Sequence, residues 1–334
     1  MHSIELLETR RLLASFTASS VGDLVADINA ANAAGGANTI ALTPGTTFTL
    51  SAVNNETYGA TGLPIIVAGN DLTIVGNGDT IQRSPVSGTP AFRLFNLLSF
   101  ATLTLDHLTL SGGFSYGSGG YAGFGGAVAN QGGTLVVRSC TIQNCTAQAT
   151  SPQYAALGGG IYSGTGTLTV TDSAIRNNQV LGSAGVPFDS SYYSFGGMAE
   201  GGGVYVGSGG ASLTNTTVAS NVARGGNGAD GYRQKGLGIV PGGHGGDALG
   251  GGIAGGGLTL HGCTVTGNTA TGGAGGKSPG GNLPRGADGA GRGGGIYLSS
   301  GSPSGLDPFT QANTRTNTAS TSDNDIFGAF TILP

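Results

Sequence analysis

One internal spacing recurs along this chain and leaves few folds open. Cys145, Asn178, Asn221 and Asn268 occupy equivalent places. Three residues before them stand Ile142, Ile175, Val218 and Val265, and five before stand Cys140, Ser173, Thr216 and Cys263. Eight before come Val137, Val170, Leu213 and Leu260, and ten before come Leu135, Leu168, Ala211 and Leu258. A Gly-Gly pair leading to an aliphatic residue opens each unit, at Gly125, Gly158, Gly201 and Gly250, with a fifth opener from Gly293 to Ile296. Constant spacing inside units and variable distance between them describe a coil of stacked rungs with looped insertions.

The aliphatic columns explain why such a coil holds. A strand of three to five residues is not stable alone, but repeated in every rung it builds a long parallel sheet whose inner face is buried. Asn suits the corners, because its amide can bond the next rung and it tolerates the left-handed conformation.

Composition removes the competing explanations. Glycine supplies 68 of 334 residues, yet 12 prolines without a lasting three-residue period exclude collagen. Disorder needs few apolar residues and high charge, whereas 38% of this chain is hydrophobic and 9% charged. The net charge of −4 and the absence of a basic run argue against nucleic acid as partner. No apolar stretch is long enough for a transmembrane helix. Three cysteines give no disulfide framework, so Cys140, Cys145 and Cys263 are expected as buried free thiols.

Residues 1–20 read as a leader or unstructured segment and 21–334 as a single domain. Leu24, Val25, Ile28 and Ala31 at helical spacing, before Gly35-Gly36, predict a short helix over 23–34 that caps the open end of the coil. Strands are predicted at 40–42, 48–50, 64–67, 72–74 and 92–94. Leu103, Leu105, Leu108, Leu110 and Gly113 match the repeat spacing, while Leu72, Ile74 and Ile81 match it only with two residues inserted. The estimate is roughly seven or eight rungs. Insertions at 146–157, 179–200, 222–249 and 269–292 all enter at one corner, so they should lie side by side along one edge. The alternating apolar residues near Phe330 predict a closing strand.

Units such as Gly158-Gly-Gly-Ile161 followed by Ile175-Arg-Asn-Asn178 resemble the repeats of right-handed parallel β-helix proteins. They are most similar to polymorphic outer-membrane-protein-type repeats, with their GGA-I and F-x-x-N motifs. Gly125-Gly-Ala-Val128 keeps the first motif. Ile175, Val218 and Val265, each three residues before Asn178, Asn221 and Asn268, keep the second with an aliphatic residue for Phe. Leu6 to Ala14 resembles a leader of large extracellular planctomycete proteins. The resemblance implies an all-β, right-handed parallel β-helix that is secreted or at a bacterial cell surface, with surface glycans or other surface proteins as partners.

Enzymes that cleave acidic polysaccharides need paired carboxylates or a Ca²⁺ site beside a base. The outward positions here read Asp106, Arg138, Thr171, Thr214 and His261, then His107, Ser139, Asp172, Asn215 and Gly262. They form no acidic column, and Arg138 with Asp172 is expected as a surface ion pair. Tyr162, Tyr205 and Tyr297 face outward in register, as sugar-stacking platforms or as rings stacked on each other. Two stretches fit the Ca²⁺-binding nonapeptide G-G-x-G-x-D-x-U-x, with Asp230 and Asp247 as ligands. They start 17 residues apart within a glycine-dense segment, where matches arise by chance, so no cofactor is expected and Ca²⁺ is the one alternative. The glycine-rich insertions themselves could be extended left-handed chains packed together or floppy linkers. The expectation is a non-enzymatic structural or adhesive protein, with a polysaccharide-binding or polysaccharide-degrading β-helix as the alternative.

Overall fold

The computed structural model describes residues 13–117, 122–187, 194–234, 238–280 and 284–334. It is a parallel β-helix. A complete turn passes through five sheets, here numbered I to V in the order the chain meets them. Val128–Asn130 lies in sheet I, Thr134–Arg138 in sheet II, Thr141–Gln143 in sheet III, Thr146–Gln148 in sheet IV and Ala156–Leu157 in sheet V. Among the described residues these sheets hold seven, ten, eight, six and four strands.

The repeat spacing is the strand register. Leu103, Leu135, Leu168, Ala211 and Leu258 are successive partners along sheet II, as are Leu105, Val137, Val170, Leu213 and Leu260. Ile142, Ile175, Val218 and Val265 do the same along sheet III. All but Ala211, which is 7% exposed, have no more than 1% of their surface in contact with water, so the columns form one continuous core. Leu72, Ile74 and Ile81 pair with Leu103, Leu105 and Leu110, and the two extra residues are absorbed in the corner at Asn77 and Gly78, both with positive φ.

Backbone conformation explains the corner residues. His107, Ser139, Asp172, Asn215 and Gly262, between sheets II and III, all have φ between 49° and 64°. Small polar residues and glycine adopt this region at least cost. Each Gly-Gly opener has two separate reasons. Its first glycine has positive φ (Gly158, 65°), and a Cβ on the second would stand 2.2 Å from the carbonyl of the next rung (Gly159 against Gly202).

Helix Val21–Ala34 covers the first turns with Leu24, Ile28 and Ala31 fully buried. Ser20 caps it by accepting the Asp23 amide, and Gly35 ends it at φ 61°. The expected leader boundary is corrected here. Ala14–Ala18 is the first strand of sheet II, paired in parallel with Asn38–Leu42, because its inward Ala18 completes the core. The rest of that segment, 1–12, lies outside the described residues. Two expected strands also differ. Within 64–67 only Ile66 makes a bridge, and sheet I begins at Phe95–Leu97 instead of 92–94. Towards the C-terminus Ile326–Phe327 joins sheet I and Thr331–Ile332 joins sheet II. No helix among the described residues is long and apolar enough to cross a membrane.

Candidate functional site

The insertions between sheets IV and V emerge along one edge and pack into a single bundle. Their neck is a second small core of Ala147, Ala149, Ala156, Val180, Ala199, Ala223, Ala248 and Ala270. All but Val180 are alanines, so the neck is filled by small side chains.

Beyond the neck each of the three longer arms runs out on one limb and returns on the other, and in the middle arm Tyr232–Gln234 pairs antiparallel with Gly238–Val240. Opposed limbs are laced together at every third residue. Gly226 N–H donates to Gly197, Gly246 to Gly226, Gly273 to Gly246 and Gly289 to Gly273, at 2.8–2.9 Å. One turn further out, Ala229 donates to Ser194, Gly243 to Ala229, Gly276 to Gly243 and Gly286 to Gly276, at 2.7–2.9 Å. Limbs of the same direction are joined too, as from Gly225 to Thr271, Gly228 to Ala274 and Gly245 to Ala287. Three residues per turn with only lateral bonds is the polyproline II pattern. Glycine is required by contact: a Cβ on Gly226 would stand 1.8 Å from the Ser183 carbonyl, and one on Gly243 1.8 Å from that of Ser194. Of the two sequence readings of these insertions, packed extended chains describe the structure.

The remaining third position of each limb faces outward and explains the nonapeptide matches. Asn227 and Asp230 accept the amides of Ala274 (3.0 Å) and Lys277 (2.7 Å). His244 Nδ1 and Asp247 accept those of Ala287 (2.9 Å) and Ala290 (2.7 Å). The third and sixth positions of G-G-x-G-x-D are thus acceptors that bind the next arm. Asp230 and Asp247 lie on opposite limbs of one arm. No group of three or more His, Cys, Asp or Glu side chains that could hold a metal ion occurs among the described residues. On the returning face Phe195 and Met198 remain more than a third exposed, with the Phe195 ring tilted over His244 at 5.3 Å between centroids.

The tyrosines of sheet I stack on neighbouring aromatic rings. Tyr162 lies 4.5 Å from Phe124 and 5.7 Å from Tyr205, ring centroid to centroid, and Tyr297 lies 5.0 Å from Phe327. Ala254 holds the register place between Tyr205 and Tyr297, which splits the column into two stacks. Sheet V contributes Glu200 beside this column. Burial, then Asp247, raises the Glu200 carboxyl, while burial, then Glu200 and Tyr162, pushes the Tyr205 hydroxyl up to about 12.

Asn178, Asn221 and Asn268 form a fully buried ladder, described further below, and Ile175, Val218 and Val265 are core. The expected Arg138–Asp172 ion pair is corrected: Asp172 accepts from Asn215 Nδ2 at 3.1 Å. Among the described residues Arg285 pairs with Asp288, and the imidazoles of His107 and His261 contact Asp106 (2.8 Å) and Asp307 (3.0 Å). The three thiols are buried and free, and burial pushes those of Cys140 and Cys145 up to about 11 and about 12. They are poor nucleophiles at neutral pH.

Fold and edge together define a parallel β-helix that carries a hydrogen-bonded glycine bundle. No family model, curated protein or solved structure matches this chain.

Proposed function

We propose that this protein is a non-enzymatic structural or adhesive β-helix, secreted or at the cell surface, that presents its glycine bundle as a rigid contact platform. The observation that carries this reading is the bundle itself. Three insertions are tied into one body by backbone hydrogen bonds, and its outward row displays Phe195, Met198 and His244. A platform ordered before contact loses little conformational entropy on binding, whereas loose loops would have to be ordered at that moment. The outward columns of sheets II and III support the same reading, because their polar groups serve corners and rung-to-rung contacts. The resemblance to polymorphic outer-membrane-protein-type repeats points to surface glycans or surface proteins as partners.

Cell fractionation tests the location: the reading expects the protein in the envelope or medium, and residence in the cytoplasm overturns it. A glycan array combined with an uronate-release assay tests the role. Contact without turnover is expected, and release of unsaturated or reducing ends moves the protein to the polysaccharide-degrading class.

A further inference from the structure

Among the described residues Arg93 is the most deeply buried cationic side chain, at 3% exposure, and it has no counter-charge. Its guanidinium gives Nη1–H to the Tyr58 carbonyl (2.7 Å), Nη2–H to Ser115 Oγ (3.0 Å) and Nε–H to the Phe124 carbonyl (3.2 Å). All three acceptors are neutral. No carboxylate lies within ion-pair distance among the described residues. Burial lowers its pKa to about 10, so it stays charged at neutral pH.

The guanidinium forms part of the wall of a pocket of about 220 Å³ lined also by Tyr58, Gly59, Tyr116, Phe124 and Gln131. Gly59 keeps the way open: a Cβ there would stand 3.1 Å from Arg93 Nη2. Of the lining residues, Tyr58 and Tyr116 are half or more exposed. This volume is below that of drug-sized sites, and it suits a single ring. Guanidinium is the side chain best matched to a carboxylate, with five donors of which three are committed here, and aromatic walls suit a ring face.

We propose that this pocket binds one six-membered ring bearing a carboxylate, with the acid group on Arg93 and the ring between Tyr58 and Tyr116. The site is separate from the glycine bundle and independent of its role. Two sources share this chemistry, a sugar acid at a glycan end and a free aromatic acid.

Titration of the intact protein with D-glucuronate, D-galacturonate, benzoate and neutral D-glucose, followed by calorimetry and ligand-observed NMR, tests it. One-to-one binding of at least one acid, without glucose binding, is expected. The uronates binding assigns a glycan end, and benzoate alone assigns an aromatic acid. Arg93→Met should weaken binding at least about tenfold. Because that variant can fail to fold, the half-exposed Tyr116→Ala, with an unchanged melting temperature, should also weaken it measurably. No acid binding at millimolar concentration, equal binding of glucose, or unchanged affinity in folded Tyr116→Ala overturns the proposal.

Discussion

Asn221 Nδ2 donates to Asn268 Oδ1 at 3.0 Å, and Asn221 Oδ1 in turn accepts both N–H and Nδ2–H of Asn178. The ladder runs from Cys145, whose amide donates to Asn178, through Asn268 and Asn317 to Asp325, which closes it as a pure acceptor. Each Nδ2 also donates to a carbonyl one rung back, as Asn221 does to Ile175 at 2.9 Å. Every amide is therefore satisfied with no water.

Asn221→Asp should be severely destabilising. The carboxylate has no donor for Ile175 O or Asn268 Oδ1, and it is fully buried. Loss of two buried hydrogen bonds costs about 3 kcal/mol or more, to which a buried charge adds. Thermal and urea unfolding should show a large shift, against almost none for the outward Ser220→Asn.

The ladder also explains its own exception. Gly160, Gly203 and Gly252 lie against Asn178, Asn221 and Asn268, with a Cβ there reaching 3.0–3.2 Å from the amide carbon. The unit with Cys145 has Ala127 at this place. Cys145→Asn alone should therefore destabilise by about 1–3 kcal/mol through crowding, and Ala127→Gly should restore stability in the double variant. A double-mutant cycle without coupling would refute this pairing.

Gly226→Ala should loosen the bundle and leave the coil intact. No positive φ is involved, so the effect is steric alone, with the new methyl driven into the Ser183 carbonyl. Limited proteolysis should become faster within 222–249 while circular dichroism of the sheets is retained. The outward Ala274→Ser should change neither.

Tyr205 should titrate late. Ultraviolet difference titration of wild type against Tyr205→Phe should show the missing phenol ionising near 12. A folded-state pKa raised above the unfolded value of 10.0 means that its stabilising contribution is complete below pH 10 and lost as pH rises towards 12. Glu200 has the same sign at lower pH: its contribution is complete below the ordinary value of 4.5 and lost above it. Glu200→Gln should accordingly raise the melting temperature at pH 8 and leave it unchanged at pH 4.

Most of the coil was legible because a rung repeats its demands. Identical backbone surroundings select aliphatics at the positions of Val170 and Ile175, positive-φ residues at Asp172 and an amide at Asn178, so fixed spacing reports them. Ala14–Ala18 was not legible, since its inward and outward residues lie beside a charged stretch that reads as a leader. The bundle was half legible. Close glycines are compatible with both packed and loose chains, and the choice depends on partners in other arms, as Gly226 depends on Gly197. Asp230 and Asp247 match a metal motif by composition, yet their use as amide acceptors follows from the adjacent arm. Arg93 gave no signal at all, because its pocket is assembled from irregular early turns that share no spacing.

The central claim, that the insertions form one ordered body, is most directly tested by amide hydrogen exchange. The N–H groups of Gly226, Gly246, Gly273 and Gly289 should exchange slowly and together, comparably to Val218 in the rung core. Exchange of these glycines at free-chain rates, with Val218 still protected, would contradict the account.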